Sequence, residues 1–553
     1  MSRDLTQTSP EAGPSIPSGH FLSLSPSYAS PSSSPSVLPS TSSHLSGGLA
    51  PNVASLASAD FEVDVRTGFL PATRNLTRLP LEWELWESAL DAARGTGENG
   101  QLRLQGGGER EKLWRAGIET MGVLDTEGLR SSIRLLRRAH LVLTFLLHFY
   151  VHTTPAEPTP RTTPLPIPES ISVPLLAISP LLGLPPIVTY SDTVLYNFLA
   201  PNPSAELSLA TNPPTHVITT FTGTKSEEQF YIISALCEIA GAEALKLMRQ
   251  SLDELFVADE KALKRLAHYL RKLAVQIDRI SDITMSLMKS VDPEEFYHLI
   301  RPWFRGGDSD GPQSAGWAFL GVDDDAAGTQ AENMADRATA DGVRGRLFSG
   351  PSAGQSSLIH AIDIFLTVDH SANADDDESA TPTPPSHSIT LNHNPVSTDA
   401  AAETPATPSR PNEATFVQRM LQYMPLAHRT FLLHLSTHPT PLRPLVEHYA
   451  RTHPKLAEAY DGALEALKRF REKHMRIVSL YIVQQARRRP SERIRQILGH
   501  SEADDDEAEE VKIELGEMRG TGGSPLFKFL KRCRDNTTKA MIGKPAGPGF
   551  DLS

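Results

Sequence analysis

"FREKHMRIVSLYI" (470–482) is the stretch that settles the fold class. Phe470, His474, Ile477, Val478, Tyr481 and Ile482 recur at steps of three and four, so they share one face of an amphipathic helix. Arg471, Glu472, Lys473 and Arg476 read as its outward side. A single histidine thus stands on an apolar stripe, with basic flanks and no carboxylate one turn away. Taken alone, such a residue is more often a satisfied core histidine than a metal ligand.

Helical periodicity continues in both directions from this segment. It runs through "LEWELWESALDAA" (81–93), "LRSSIRLLRRAHLVLTFLLHFYVH" (129–152), "SEEQFYIISALCEIAGAEALKLMRQSLDEL" (226–255) and "KALKRLAHYLRKLAVQIDRISDITMSLMKSV" (261–291). "DPEEFYHLIRPWF" (292–304) opens on Asp292 and Pro293, an N-cap followed by a first-turn proline. Ser226, with Glu227 and Glu228 behind it, reads as another helix start. The proline-punctuated "IPESISVPLLAISPLLGLPPIVTYSDTVLYNF" reads as an extended, turn-rich connector. Persuasive strand alternation is nearly absent and no internal repeat is found, so the fold class is all-α.

The chain has 553 residues, 44 of them proline, with 39% apolar residues and a net charge of −13. The acidic balance argues against a nucleic-acid binder. Residues 1–59 form a Ser/Pro-rich tail too poor in large apolar residues to offset the entropy of ordering. Low-complexity inserts are read at 305–347, rich in Gly, Ala and Asp, and at 371–412, rich in Ala, Thr, Pro, Ser and Asp, with a solvated acidic loop at 490–519. Cys237 and Cys533 are the only cysteines, which excludes a disulfide framework and suits a reducing compartment. No membrane span or secretory leader is read, and a cytoplasmic protein is expected.

Motifs narrow the chemistry further. Nineteen histidines are present, yet there is no HExxH, paired CxxC or GxxxxGK[ST], which argues against a multi-ligand zinc site and a P-loop. A one-histidine metal site in an all-α protein points to haem, because a porphyrin brings four nitrogens of its own. "GPSAGQSS" (350–357) is small enough for backbone to approach a flat ligand, although by itself it is a turn before a helix. "GTGGS" (520–524) is by default a flexible loop, and its composition also suits a lid.

In this order, "LPPIVTYSDTVL", "FYIISALCEIA", "DPEEFYHLIRPWF", "SAGQSS", "QYMPLAHRTFL", "FREKHMRIVSLYI" and "GTGGS" resemble the indoleamine 2,3-dioxygenase family in its fungal form, over roughly residues 60–545. The resemblance implies a small N-terminal α domain (60–168), a connector over the distal pocket (169–225) and a large helical haem domain (226–545). It implies haem b, with His474 as the proximal ligand of its iron and Arg471 and Asp363 near the propionate edge. Tyr190, Phe230, Ser234, Phe296 and Arg301 match distal pocket positions, with Arg301 facing the substrate carboxylate and Ser234 in a minor role at most. Ser352, Ala353 and Gly354 would line the pocket, and Thr521 and Gly522 would close it. Pro351 stands where relatives commonly have glycine, and Tyr231 where phenylalanine is found.

The implied reaction inserts both atoms of O₂ across the indole C2–C3 bond of L-tryptophan to give N-formylkynurenine, the first step of tryptophan catabolism. L-Tryptophan, O₂ and an electron donor that keeps the iron ferrous are the implied partners. No nucleic acid or membrane is expected, and the chain is expected to be a monomer. The alternative from another class is a haem oxygen carrier or sensor on the same scaffold, which would keep His474 but would not need Phe296 and Arg301.

Overall fold

A computed structural model describes residues 60–95, 100–105, 108–155, 161–309, 314–323, 336–338, 344–370, 416–498 and 526–543. The fold is mostly helical, as the periodicity predicts. The first helices are α1 (Glu84–Arg94), α2 (Glu109–Thr120), α3 (Ile133–Thr153) and α4 (Glu169–Leu182). From Leu136 to Tyr150 every residue of α3 is buried, so this helix is surrounded on all sides.

α4 corrects the reading of this stretch as extended. It is a helix with Pro174 and Pro180 inside it. An interior proline costs about 3 kcal/mol in a helix, yet Ile171, Leu175, Ile178 and Leu182 form one fully inward row. Burying four aliphatic side chains at about 1.5–3 kcal/mol each outweighs the prolines, which short-range propensity cannot reveal.

Next come α5 (Lys225–Val257) and α6 (Glu260–Met285). The cap of α5 is Thr224, which accepts from the Glu227 N–H, and not Ser226 as the sequence suggested. Ser226 is instead used between elements: it accepts from the Asp292 N–H and donates to Glu295. The buried Glu227 carboxylate accepts from Phe221 N–H, Thr222 N–H, the Thr222 hydroxyl and the Tyr231 hydroxyl, tying the preceding segment to the start of α5. α6 buries Leu263, Leu266, Leu270, Leu273, Ile277 and Ile280 along one face.

The remaining main helices are α7 (Ser357–Phe365), α8 (Leu426–Ser436), α9 (Leu442–Tyr449), α10 (Pro454–Val478) and α11 (Leu526–Lys539). α6 lies along both α5 and α10, and α11 packs on α10. In α10, Leu456, Tyr460, Ala463, Leu467, Arg471 and Val478 share the buried row with His474 between them. Arg471 is therefore inward, contrary to the reading of residues 470–482 alone; the register is set by the whole helix.

Strands are few and short among the described residues. Leu165–Ile167 pairs parallel with Trp317–Phe319, which pairs antiparallel with Arg344–Arg346 and that in turn with Asp336–Ala338. The stretch read as an insert at 305–347 thus contributes the buried Trp317 and Phe319 to the core. Among the described residues no helix is long and apolar enough to cross a membrane.

Candidate functional site

A cavity of about 320 Å³ opens between α5, α7, α10 and α11 and the segments around Tyr190 and Phe296. Its wall holds Tyr190, Phe230, Ser234, Phe296, Arg301, Ser352, Ala353, Gly354, Asp363, Arg471 and His474. Every expected site residue that falls among the described residues is therefore gathered around one space. Thr521 and Gly522 lie outside the described residues.

His474 projects from α10 one turn before its end at Val478. Burial alone drives its imidazole down to about 4, so the ring is neutral near pH 7. Among the described residues it has no hydrogen-bond or ion-pair partner, leaving both nitrogens without the usual satisfaction of a core histidine. Nor do three His, Cys, Asp or Glu side chains cluster as a metal site among the described residues. A metal held here would have to bring its other ligands with it, which is what an iron porphyrin does.

The aromatic side of the cavity comes from two elements. Phe230 and Ser234 stand one turn apart on α5, and the Phe230 and Phe296 rings are 4.8 Å apart at 47°. Phe296 also meets Tyr481 edge-on at 5.8 Å. Phe296–Ile300 is a π-helical turn closed from the Arg301 N–H to the Phe296 carbonyl. That wide turn brings Phe296 and Arg301 to the same cavity. Two further π-helical turns, Ser191–Leu195 and Ser479–Val483, also abut it through Thr193, Val194, Tyr481 and Ile482. The Arg301 guanidinium lies 5.5 Å from the centre of the Tyr297 ring, and burial lowers its pKa.

The 350–356 loop is held rigidly. Gln355 donates to the Gly350 carbonyl and accepts from the Tyr190 N–H, and His360 bonds to the Gly354 carbonyl. A Cβ on Gly350 would overlap the Phe304 carbonyl, so the two backbones cross where only glycine fits.

Arg471 and Asp363, 7% and 8% exposed, form a buried ion pair at the cavity wall, with one guanidinium nitrogen 2.5 and 2.6 Å from the two carboxylate oxygens. Burial pushes Asp363 up, but Arg471 and then His370 hold it well below the ordinary carboxylate range. A buried guanidinium here suits a ligand with an acidic edge.

These features leave one histidine without a partner among the described residues in the wall of an otherwise largely apolar cavity. A family model described as indoleamine 2,3-dioxygenase matches residues 57–540. The chain belongs to this family. It is 28% identical over 487 residues to mouse indoleamine 2,3-dioxygenase 1, covering 88% of this chain and 96% of the relative. Against indoleamine 2,3-dioxygenase of Saccharomyces cerevisiae it is 30% identical over 491 residues, 85% and 89% of the two chains. A 6-hydroxytryptophan 2,3-dioxygenase of Fusarium equiseti is 28% identical over 485 residues, 87% and 97%. As a member of the indoleamine 2,3-dioxygenase family the chain is an oxidoreductase of the dioxygenase class, and haem dependence follows from the family.

The structure also places residues in the wall that the sequence reading passed over. Cys237, Thr284 and Phe304 are among them, and so is Glu238, one turn beyond Ser234. Both the Tyr190 and Ser356 hydroxyls donate to one Glu238 oxygen, at 2.9 and 2.7 Å, while the other oxygen has no partner. Burial raises this carboxyl to about 7. The signal was present in "FYIISALCEIA": a lone acid at i+8 from Phe230 in an otherwise apolar run.

Proposed function

We propose that this chain is a haem b enzyme that inserts both atoms of O₂ across the C2–C3 bond of L-tryptophan, giving N-formylkynurenine. The observation that carries the reading is His474: a neutral imidazole with no hydrogen-bond partner among the described residues, in the wall shared with Phe230, Phe296 and Arg301. His474 would ligate the iron, and Arg471 would face a propionate. Haem, when bound, supplies the iron at which O₂ is activated.

The chain's own residues then bind and orient the indole. Phe230 and Phe296 offer apolar faces at an angle that holds a planar ring. Arg301 offers a planar fork for the amino-acid carboxylate in a buried setting, where such a pair is strongest. Ser234 donates its proton to the Phe230 carbonyl at 3.1 Å, which leaves its oxygen to accept a hydrogen bond from the cavity. Positioning and exclusion of water account for most of the protein's contribution.

The relatives support tryptophan or a close indole as substrate, and the 6-hydroxytryptophan enzyme from Fusarium equiseti shows that the indole's substituents vary within the family. The test is product mass: haem-loaded, reduced protein is given L-tryptophan, or 6-hydroxytryptophan in parallel, under isotopically labelled O₂. Two labelled oxygens in one tryptophan-derived product are expected. Reversible O₂ binding without product from either indole would overturn the enzyme reading in favour of a carrier.

A further inference from the structure

Behind the cavity wall, the Asp363 carboxylate is shared by two cations. Arg471 takes both its oxygens, and His370 Nε2 stands 3.2 Å from Oδ2. The His370 side chain is only 10% exposed. A second Arg471 nitrogen donates to the Cys533 carbonyl at 3.0 Å, which fixes the guanidinium against α11. The charge balance of this corner therefore depends on His370. With His370 neutral, Asp363 cancels Arg471; with it protonated, the corner carries one net positive charge facing the cavity.

We propose that His370 is a positioning residue for the cofactor: by sharing Asp363 it leaves the positive charge of Arg471 uncancelled for a carboxylate on the cofactor's edge. This rests on the reading that His474 holds a haem, whose propionates are its anionic groups. Arg471 alone, already committed to a buried carboxylate, would attract a second carboxylate weakly. The third member changes that sum without touching the cofactor, because His370 stands behind Asp363 and outside the cavity lining.

The titration supports the geometry. Burial pulls the His370 imidazole down, but Asp363 holds it up at about 9, so it is charged at neutral pH. The other titratable groups facing this cluster are Asp363 and His360 on α7, Arg471 on α10 and the Cys533 thiol on α11. Of the cations here, an arginine side chain does not deprotonate in proteins, and burial holds His360 below its ordinary value. Among these cations His370 is thus the one whose charge changes between pH 8 and 10.

The test is the rate of haem loss from full-length, haem-loaded protein to excess apomyoglobin between pH 7 and pH 10. The wild type should retain haem at pH 7 and lose it faster as pH rises through about 9. His370→Gln should lose haem about tenfold faster at pH 7, as expected for one partly screened charge, and should lack the rise near pH 9. His370→Lys, which restores a cation with a higher pKa, should recover slow loss and move the rise upward; a merely structural role would not follow charge in this way. Wild-type rates and profile in His370→Gln would overturn the inference while leaving the haem reading intact. Failure of the wild type to bind haem, or haem retained unchanged in His474→Ala, would overturn the haem reading itself and this inference with it.

Discussion

Glu238→Gln should make the protein more stable at alkaline pH, and by an amount the structure sets. The Glu238 carboxyl is fully enclosed, with two donors on one oxygen and none on the other. Glu227, also buried and eleven residues nearer the start of the same helix, differs in having four donors spread over both oxygens. Two donors on one side do not replace lost hydration, so the folded state holds the Glu238 proton up to about 7 against an ordinary value of 4.5. A group with a raised folded pKa gives stability that is complete below its unfolded pKa and is lost as pH climbs through the folded one. The loss reaches about 3 kcal/mol once pH exceeds 7. Glutamine resembles the protonated acid in shape and cannot ionise. Urea denaturation of wild type and variant should therefore show the variant gaining about 2–3 kcal/mol on the wild type between pH 5 and pH 8. The difference between the two proteins is the readout, because His148 and His428, pushed down to about 4 by burial, make both less stable as pH falls below 6.5. A difference that does not change with pH would refute the assignment of a buried, poorly solvated carboxyl at this position.

His474→Ala should abolish the haem absorption band while leaving far-ultraviolet dichroism unchanged, since its side chain bonds to no described residue; an intact band would remove it as the ligand. Arg301→Ala should keep haem but raise KM for tryptophan by about ten- to a hundredfold, the worth of a charged hydrogen-bonded pair in a buried site, and unchanged kinetics would place the carboxylate elsewhere. Gly350→Ala should lower stability by about 1–3 kcal/mol, because its Cβ overlaps the Phe304 carbonyl. It should also shift the 351–354 wall; a thermal midpoint equal to the wild type's would show that the crossing can relax.

How much of this could be read from the chain depended on the range over which each determinant acts. The helices were legible because burial imprints a 3.6-residue period, as in Leu263 through Ile280 of α6. α4 was not, because its prolines are local signals and the burial that overrides them is set by the neighbouring α3. The cap at Thr224 was missed for a related reason: Ser226 has the chemistry of a cap but is engaged by Asp292 and Glu295, 66 and 69 residues away. The wall residues were reached through the family resemblance, and without it Phe230 and Phe296 would have read as core. Arg471 marks the boundary between the two kinds of information. Thirteen residues placed it outward, whereas the row from Leu456 to Val478 places it inward, where a lone guanidinium would be untenable without Asp363. Asp363 is 108 residues distant in sequence, and His370 reaches the same carboxylate from just beyond the end of α7. A buried charge is therefore legible only once its partners are known, and those partners are fixed by how α7 and α10 meet. The apolar stripe and its histidine could be seen in one helix, but the charge that faces a cofactor's acidic edge is a property of three segments brought together.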